Sequence, residues 1–196
     1  MAPGSPTRRT PLTRERIVAA ALDAIEREGY EALSLRSLAR ALGVTAPAIY
    51  DHFDSKTGVL SAVAAEGYRS LDEGFDVDGS TAIERCRQRA YAYVQFAERR
   101  PELFRAMFLY RPAAVPIEAD NELPAATDTF DAGLRDIAQA IADGDLADRD
   151  PVQINFTLWA AIHGVASIAL MAPTIATRVV DDVIDAMFTG LTPRSE

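Results

Sequence analysis

Cysteine, histidine and lysine are almost missing from this chain of 196 residues: Cys86, His52, His163 and Lys56 are all it has of them. A lone cysteine rules out an intrachain disulfide and suits a reducing compartment. Two histidines more than a hundred positions apart, with no HExxH or CxxC spacing, leave too few converging ligands for a metal centre. Glycine-rich phosphate loops are absent too, and no stretch alternates apolar and polar residues as a half-buried strand does. Nucleotide-binding α/β folds are thereby excluded, and no cofactor is expected. Strongly apolar runs stay well short of the roughly 20 residues a membrane span needs. The opening "MAPGSPTRRTPL" holds Arg8 and Arg9 with no apolar block behind them, unlike a signal peptide. The expectation is a cytoplasmic globular protein with no membrane partner, whose residues 1–12 form a mobile arm.

Positive charge is scarce as well. A formal charge of -9 speaks against non-specific coating of nucleic acid, because that affinity rests on Lys and Arg neutralising phosphates. The shortfall is uneven. Residues 1–56 hold eight basic and seven acidic side chains (+1), whereas residues 57–196 hold twelve basic and twenty-two acidic (-10). A polyanionic partner would meet the N-terminal quarter and be repelled by the rest.

Helical punctuation is what the chain has in quantity. Thr13 caps a first helix with Glu15 in its first turn, Ile17, Ala20, Ala21, Ala24 and Ile25 make an apolar stripe, and Gly29 ends it. Ser34 opens "LRSLARAL", which stops at Gly43. Thr45 caps again, with Pro47 in the first turn, where a missing N–H costs nothing. Further helices are expected over about 55–75, from Ser80 to near Arg100, from Pro101, over 125–142, from Asp150–Pro151, and over 176–190. The segment 111–124, with three prolines and no period, reads as a loop. The fold class is all-α, with about nine helices.

Residues 49–56, "IYDHFDSK", crowd Tyr50, Asp51, His52, Asp54 and Lys56 together, and general acids, bases and metal ligands are built from such residues. The surroundings point elsewhere. "SLRSLARALGVTAPAIYDHF", residues 34–53, is two short helices joined by a tight turn: Gly43 supplies φ > 0, Ala39 permits close approach, and Leu38, Leu42, Val44 and Ile49 hold the pair together. That is helix-turn-helix spacing.

Residues 13–60, "TRERIVAAALDAIEREGYEALSLRSLARALGVTAPAIYDHFDSKTGVL", resemble the DNA-binding domain of TetR/AcrR-family transcriptional regulators, down to the YxHFxSK ending. The resemblance implies a homodimeric repressor with a helix-turn-helix domain over 13–58 and a ligand-binding and dimerisation domain over 59–196. Its partners would be a double-stranded DNA operator and a small-molecule effector.

Arg36 has a planar fork suited to guanine O6 and N7 or to phosphate, and is otherwise a solvated helix-start arginine. Thr45 is read as a cap whose helix N-terminus faces a phosphate. Ala46, Pro47 and Ala48 lie where the family reads bases. Without polar groups, they can only touch thymine methyls or admit the backbone, so direct readout from this helix is thin. Tyr50 and His52 match positions that touch phosphates in the family and Lys56 a basic position at the start of the next helix; all three are suitable phosphate donors, contacts that set register without reading sequence. Tyr50 has a core alternative, its ring packed and its hydroxyl reaching out. Phe53 reads as core. Asp51 is awkward: near phosphates it must turn away or accept from a cytosine amino group. Arg8 and Arg9, on the arm, suit a narrow minor groove.

Beyond residue 55 the chain carries Tyr91, Tyr93, Phe96, Phe104, Met107, Phe108, Tyr110, Phe130 and Trp159. Such residues build cores. Several together with a histidine also line apolar pockets, and Tyr93, Phe96, Met107, Phe108, Phe130, Trp159 and His163 are the candidate ligand contacts. "WAAIHG", residues 159–164, resembles the Trp-x-x-x-His-Gly signature of one TetR-family C-terminal domain type. Its spacing puts Trp159 and His163 on one helix face, with Gly164 admitting a neighbouring helix. The run from Leu158 to Met171 is apolar all round, which suits burial by a second subunit. Helices near 151–171 and 176–190 are therefore the expected dimer interface. Two other readings stand beside the repressor: an interaction protein with a degenerate helix-turn-helix, and a small helical enzyme using Asp51, His52, Asp54 and Lys56.

Overall fold

A computed structural model describes residues 11–75, 79–109 and 124–193. Among them are nine α-helices and no strand: α1 (Arg14–Glu28), α2 (Leu35–Leu42), α3 (Ala46–Tyr50), α4 (Lys56–Glu73), α5 (Ala82–Arg99), α6 (Pro101–Phe104), α7 (Pro124–Ala142), α8 (Pro151–Ala169) and α9 (Pro173–Leu191). A π-helical turn, Arg105–Leu109, continues α6. Arg8, Arg9, Tyr110 and the expected loop 111–124, apart from Pro124, lie outside the described residues.

Local chemistry sets the boundaries. The Arg16 N–H donates to the Thr13 hydroxyl (3.3 Å) at the start of α1, and Gly29 (φ 81°) ends it. Ile17, Ala21 and Ile25 are buried at a spacing of four, while Ala20 and Ala24 are half-buried. Ser34 and Ser37 form a reciprocal capping box on α2. Gly43 adopts the left-handed φ of 66° that lets the chain turn into α3. The cap of α5 is Thr81 rather than Ser80, because Glu84 is three residues past Thr81 and its carboxylate accepts from the Thr81 N–H (3.2 Å). The last helix starts at Pro173, a few residues before the expected 176, since proline suits a first turn.

The described residues divide into two compact units, one up to Val63 and one from Ala64. The division falls inside α4, a few residues past the expected boundary at 58. That helix is uninterrupted, and its first turns, with Val59, Leu60 and Val63 buried, cluster with the preceding residues. In the first unit, α1 packs on α2 and α2 on α3, around Leu38, Ile49 and Phe53. In the second, α5 lies against α7 and α8, and α8 against α9. Asp136 of α7 is buried between Arg85 (2.8 Å) and Arg89 (2.9 Å) of α5, so its charge is doubly paired. Burial nearby pushes the Cys86 thiol up to about 12, which makes it unreactive.

One expectation fails here. α8, 19 residues with a mean hydropathy of 1.3, is long and apolar enough by length and composition to cross a membrane. Gln153, Asn155, Thr157 and His163 break its apolar runs in sequence without lowering the average enough to exclude it. Only 33% of that window is buried in the chain.

Candidate nucleic-acid interface and aromatic cluster

Two places gather the chemically rich residues. In the first unit, α2 leads into α3 through Gly43, Val44 and Thr45, with the Val44 N–H donating to the Ala39 carbonyl (2.9 Å). Thr45 holds the cap position, but its hydroxyl caps nothing. Pro47 has no N–H to offer, and the Ala48 N–H donates to the Thr45 carbonyl instead (3.1 Å). The exposed Thr45 hydroxyl, the exposed Pro47 and the half-buried Ala46 and Ala48 form the start of α3.

Tyr50 is 54% exposed, which overturns its core alternative; Ile49 and Phe53 take the buried positions on either side. Arg36 is exposed. Lys56 is half-buried, its Nζ 3.5 Å from the Tyr30 carbonyl and 4.9 Å from the Tyr30 ring centroid, so one face of the ammonium is already used. Ser34, Leu35, Arg36, Tyr50, Asp54, Ser55 and Lys56 surround one open concavity of about 690 Å³. Arg36, Tyr50 and Lys56 thus come together, while Thr45 to Ala48 and His52 lie outside it. The Gly58 N–H donates to the Ser55 hydroxyl (3.1 Å), so Ser55 caps α4. Asp51 and Asp54 are both exposed.

Arg14 escaped the sequence reading. Its guanidinium donates to the His52 carbonyl (2.7 Å) and lies 3.9 Å over the Phe53 ring, tying the start of α1 to the turn after α3. The only signal was a basic residue in a first helical turn, where the dipole disfavours one.

The second place is in the larger unit. The Trp159 indole N–H donates to the Tyr93 oxygen (3.3 Å), and Tyr93 is hydrogen-bonded to His163 Nδ1 (2.8 Å). The His163 ring stacks on Phe104 at 5.5 Å and meets the Phe108 edge at 5.2 Å, with Trp159 at 5.3 Å. Phe104 and Phe108 are 4.7 Å apart, and Tyr68 of α4 meets Phe108 edge-on at 5.6 Å. Burial lowers the pKa of His163, which favours a neutral imidazole, and raises that of Tyr93, which keeps its proton.

Of the candidate ligand contacts, this arrangement unites Tyr93, Phe108, Trp159 and His163. Met107 is buried beside Gly67. Phe96 is buried on α5 outside the ring cluster, and Phe130 pairs instead with Phe156 (5.0 Å). Phe104 and Tyr68 belong to the cluster and had no assigned role, because aromatics two elements away carry no spacing signal. Gly164 is open to an approaching helix. It is exposed, and a Cβ there would meet no atom of the described residues within 4 Å.

A small helical unit ending in a helix-turn-helix, followed by a larger helical unit, defines a helix-turn-helix transcriptional regulator. Residues 17–63 match the model of bacterial regulatory proteins of the tetR family, and residues 86–191 match the tetracyclin repressor-like C-terminal domain. The second match alone spans more than half of the 196 residues, and the chain belongs to the TetR family. It is 26% identical over 189 residues to an uncharacterised HTH-type transcriptional regulator of Mycobacterium tuberculosis, covering 93% of this chain and 79% of that relative. Identity to the HTH-type transcriptional regulator SrpR of Pseudomonas putida is 30% over 137 residues, 68% of this chain and 63% of SrpR. A solved protein of unknown function from Rhodococcus sp. RHA1 superposes with a TM-score of 0.80 at 28% identity, over 96% of this chain and all of that one (100%). TetR-family members are regulators rather than enzymes, so the catalytic reading of "IYDHFDSK" falls.

Proposed function

We propose that the protein is a cytoplasmic homodimeric repressor. Each copy lays α3 in the major groove of a near-palindromic operator, and both let go when a small, largely apolar molecule occupies the second unit. The observation that carries the DNA half is the grouping of Arg36, Tyr50 and Lys56 around one open concavity at the helix-turn-helix. A guanidinium, a phenol and an ammonium there are donors for phosphate oxygens, and Arg36 can also reach a guanine edge. Arg14, which donates to the His52 carbonyl, ties the start of α1 to the turn that follows α3. Acidic residues dominate from 57 onward (-10), which turns DNA towards this end of the chain. Release follows by linkage: an effector that prefers a conformation with wrongly spaced recognition helices lowers operator affinity by its own differential affinity. The Trp159–Tyr93–His163 cluster offers the polar anchor an apolar effector site needs.

An interaction protein with a degenerate helix-turn-helix keeps one specific support: Ala46, Pro47 and Ala48 present no polar group where bases are read. A gel-shift titration on the DNA upstream of the gene separates the two. A repressor binds that DNA specifically and loses affinity steeply as salt rises. Lys56→Ala is expected to weaken all sequences alike and to flatten the salt slope by about one phosphate contact, while Arg36→Ala relaxes base preference at a cost of roughly 1–3 kcal/mol. Binding that is neither sequence-specific nor salt-sensitive would favour the interaction protein.

A further inference from the structure

The hydrogen-bond order within the aromatic cluster fixes which face His163 shows to a ligand. Trp159 Nε1–H is a donor only, so the Tyr93 oxygen accepts from it. The Tyr93 oxygen has a second lone pair that could accept from Nδ1–H, but its own buried hydroxyl proton would then lack an acceptor among the described residues, so the proton points at His163 Nδ1, at 2.8 Å. A nitrogen that accepts carries no proton, and a neutral imidazole must therefore hold its proton on Nε2. Tyr93 is 5% exposed and cannot exchange this partner for water. Nε2–H has no hydrogen-bond partner among the described residues, although Phe104, Phe108, Trp159 and Tyr93 all lie within 6.1 Å of the ring, centroid to centroid.

We propose that His163 is the polar anchor of the effector site and that it offers a donor only, so the effector is an aromatic or otherwise apolar molecule carrying a hydrogen-bond acceptor such as a carbonyl oxygen. This deepens the reading of the second unit as an effector-binding domain and rests on it. Trp159 and Tyr93 act as positioning residues: they hold the tautomer and touch the ligand through His163. A molecule whose only polar group is a donor finds nothing to pair with at this nitrogen, and loses the hydrogen bonds it had in water. A purely apolar molecule leaves Nε2–H unpaired. Selection therefore works on acceptor chemistry more than on shape.

The test uses the full-length protein labelled with ¹⁵N in its histidine side chains. With only His52 and His163 present, His163 is assigned by the signals lost in His163→Gln. Wild-type protein is expected to show the Nε2–H tautomer alone, and Tyr93→Phe, which frees Nδ1, to show a mixture. Acetophenone and ethylbenzene, alike in shape and differing in one oxygen, are then titrated while following the indole N–H of Trp159, the only tryptophan. Acetophenone should bind about 5-fold more tightly, the weight of one ordinary hydrogen bond, and should shift the His163 Nε2 signal. His163→Phe, which keeps the stacking, should abolish the preference. An Nδ1–H tautomer in the wild type, equal affinities, or no response to either probe overturns the proposal. Operator binding by the unliganded wild type is scored separately: its failure removes the regulator reading and leaves the tautomer result standing.

Discussion

His163 illustrates what one residue does in two states of the chain. Folded, it sits among four rings, and burial lowers its pKa below the ordinary 6.5. Unfolded, it titrates near that ordinary value. As pH falls through about 6.5 the unfolded chain takes up a proton that the folded chain refuses, so stability declines until the folded pKa is reached. Well above 6.5 both states are neutral and the residue contributes no pH dependence. Thermal unfolding followed between about pH 8 and 5 should therefore show a larger loss on acidification for wild type than for His163→Phe. His52 is common to both proteins and cancels. Identical acid losses would dismiss the buried neutral imidazole. From the sequence, the i, i+4 spacing put Trp159 and His163 on one face, but it could not reveal the Tyr93 hydroxyl between them. Three-dimensional proximity between α5 and α8 creates that contact. Thr45 is the converse case: its residue type and position promised a cap, and the Pro47 two positions later removed one of the N–H groups it would have bonded.

At the scale of elements, two glycines separate backbone needs from packing needs. Gly43 holds φ at 66°, and a Cβ there would meet nothing within 4 Å, so Gly43→Ala costs only the left-handed strain, about 1 kcal/mol. Gly67, inside α4, has ordinary helical geometry but faces the buried Met107, whose Sδ would collide with any Cβ. Met107 is 2% exposed and has little room to move, so Gly67→Ala should cost roughly 1–3 kcal/mol despite the better helix propensity of alanine. Urea denaturation of the two variants checks the order; a Gly67→Ala protein as stable as wild type would mean that Met107 yields freely. Gly43 was readable in the sequence because a turn between two apolar helices announces its conformation. Gly67 was not, because its constraint comes from a π-helical turn about forty positions away, and nothing in "RAMFL" foretells that turn. The caps at Thr13, Ser34 and Asp150 were readable for the same reason as Gly43: each acts on N–H groups within three residues.

For the whole molecule, the least explained surface is the open side of α8. Phe156 is 51% exposed and Trp159 39%, and a Cβ at Gly164, on the same helix, would meet none of the described residues within 4 Å. A helix this apolar with a third of its membrane-length window buried has a partner still to meet. In a DNA-binding regulator of the TetR family, the occupant we propose is a second copy, which sets the spacing of two recognition helices against two operator half-sites. The sequence reading reached this surface from the all-round apolarity of residues 158–171, with Gly164 admitting a neighbouring helix, and a second copy would supply that helix. The same exposure makes Phe156 a usable probe: its side chain is 51% exposed, and its ring pairs with the half-buried Phe130. Phe156→Asp should leave helix content unchanged by circular dichroism and sediment as a monomer where wild type sediments as a dimer. Losing the second recognition helix, it should also lose most of its affinity for a full operator while keeping weak, salt-sensitive affinity for a half-site. A variant that remains dimeric would move the interface off this part of α8, and one that is monomeric yet binds the full operator undiminished would separate DNA recognition from dimerisation altogether.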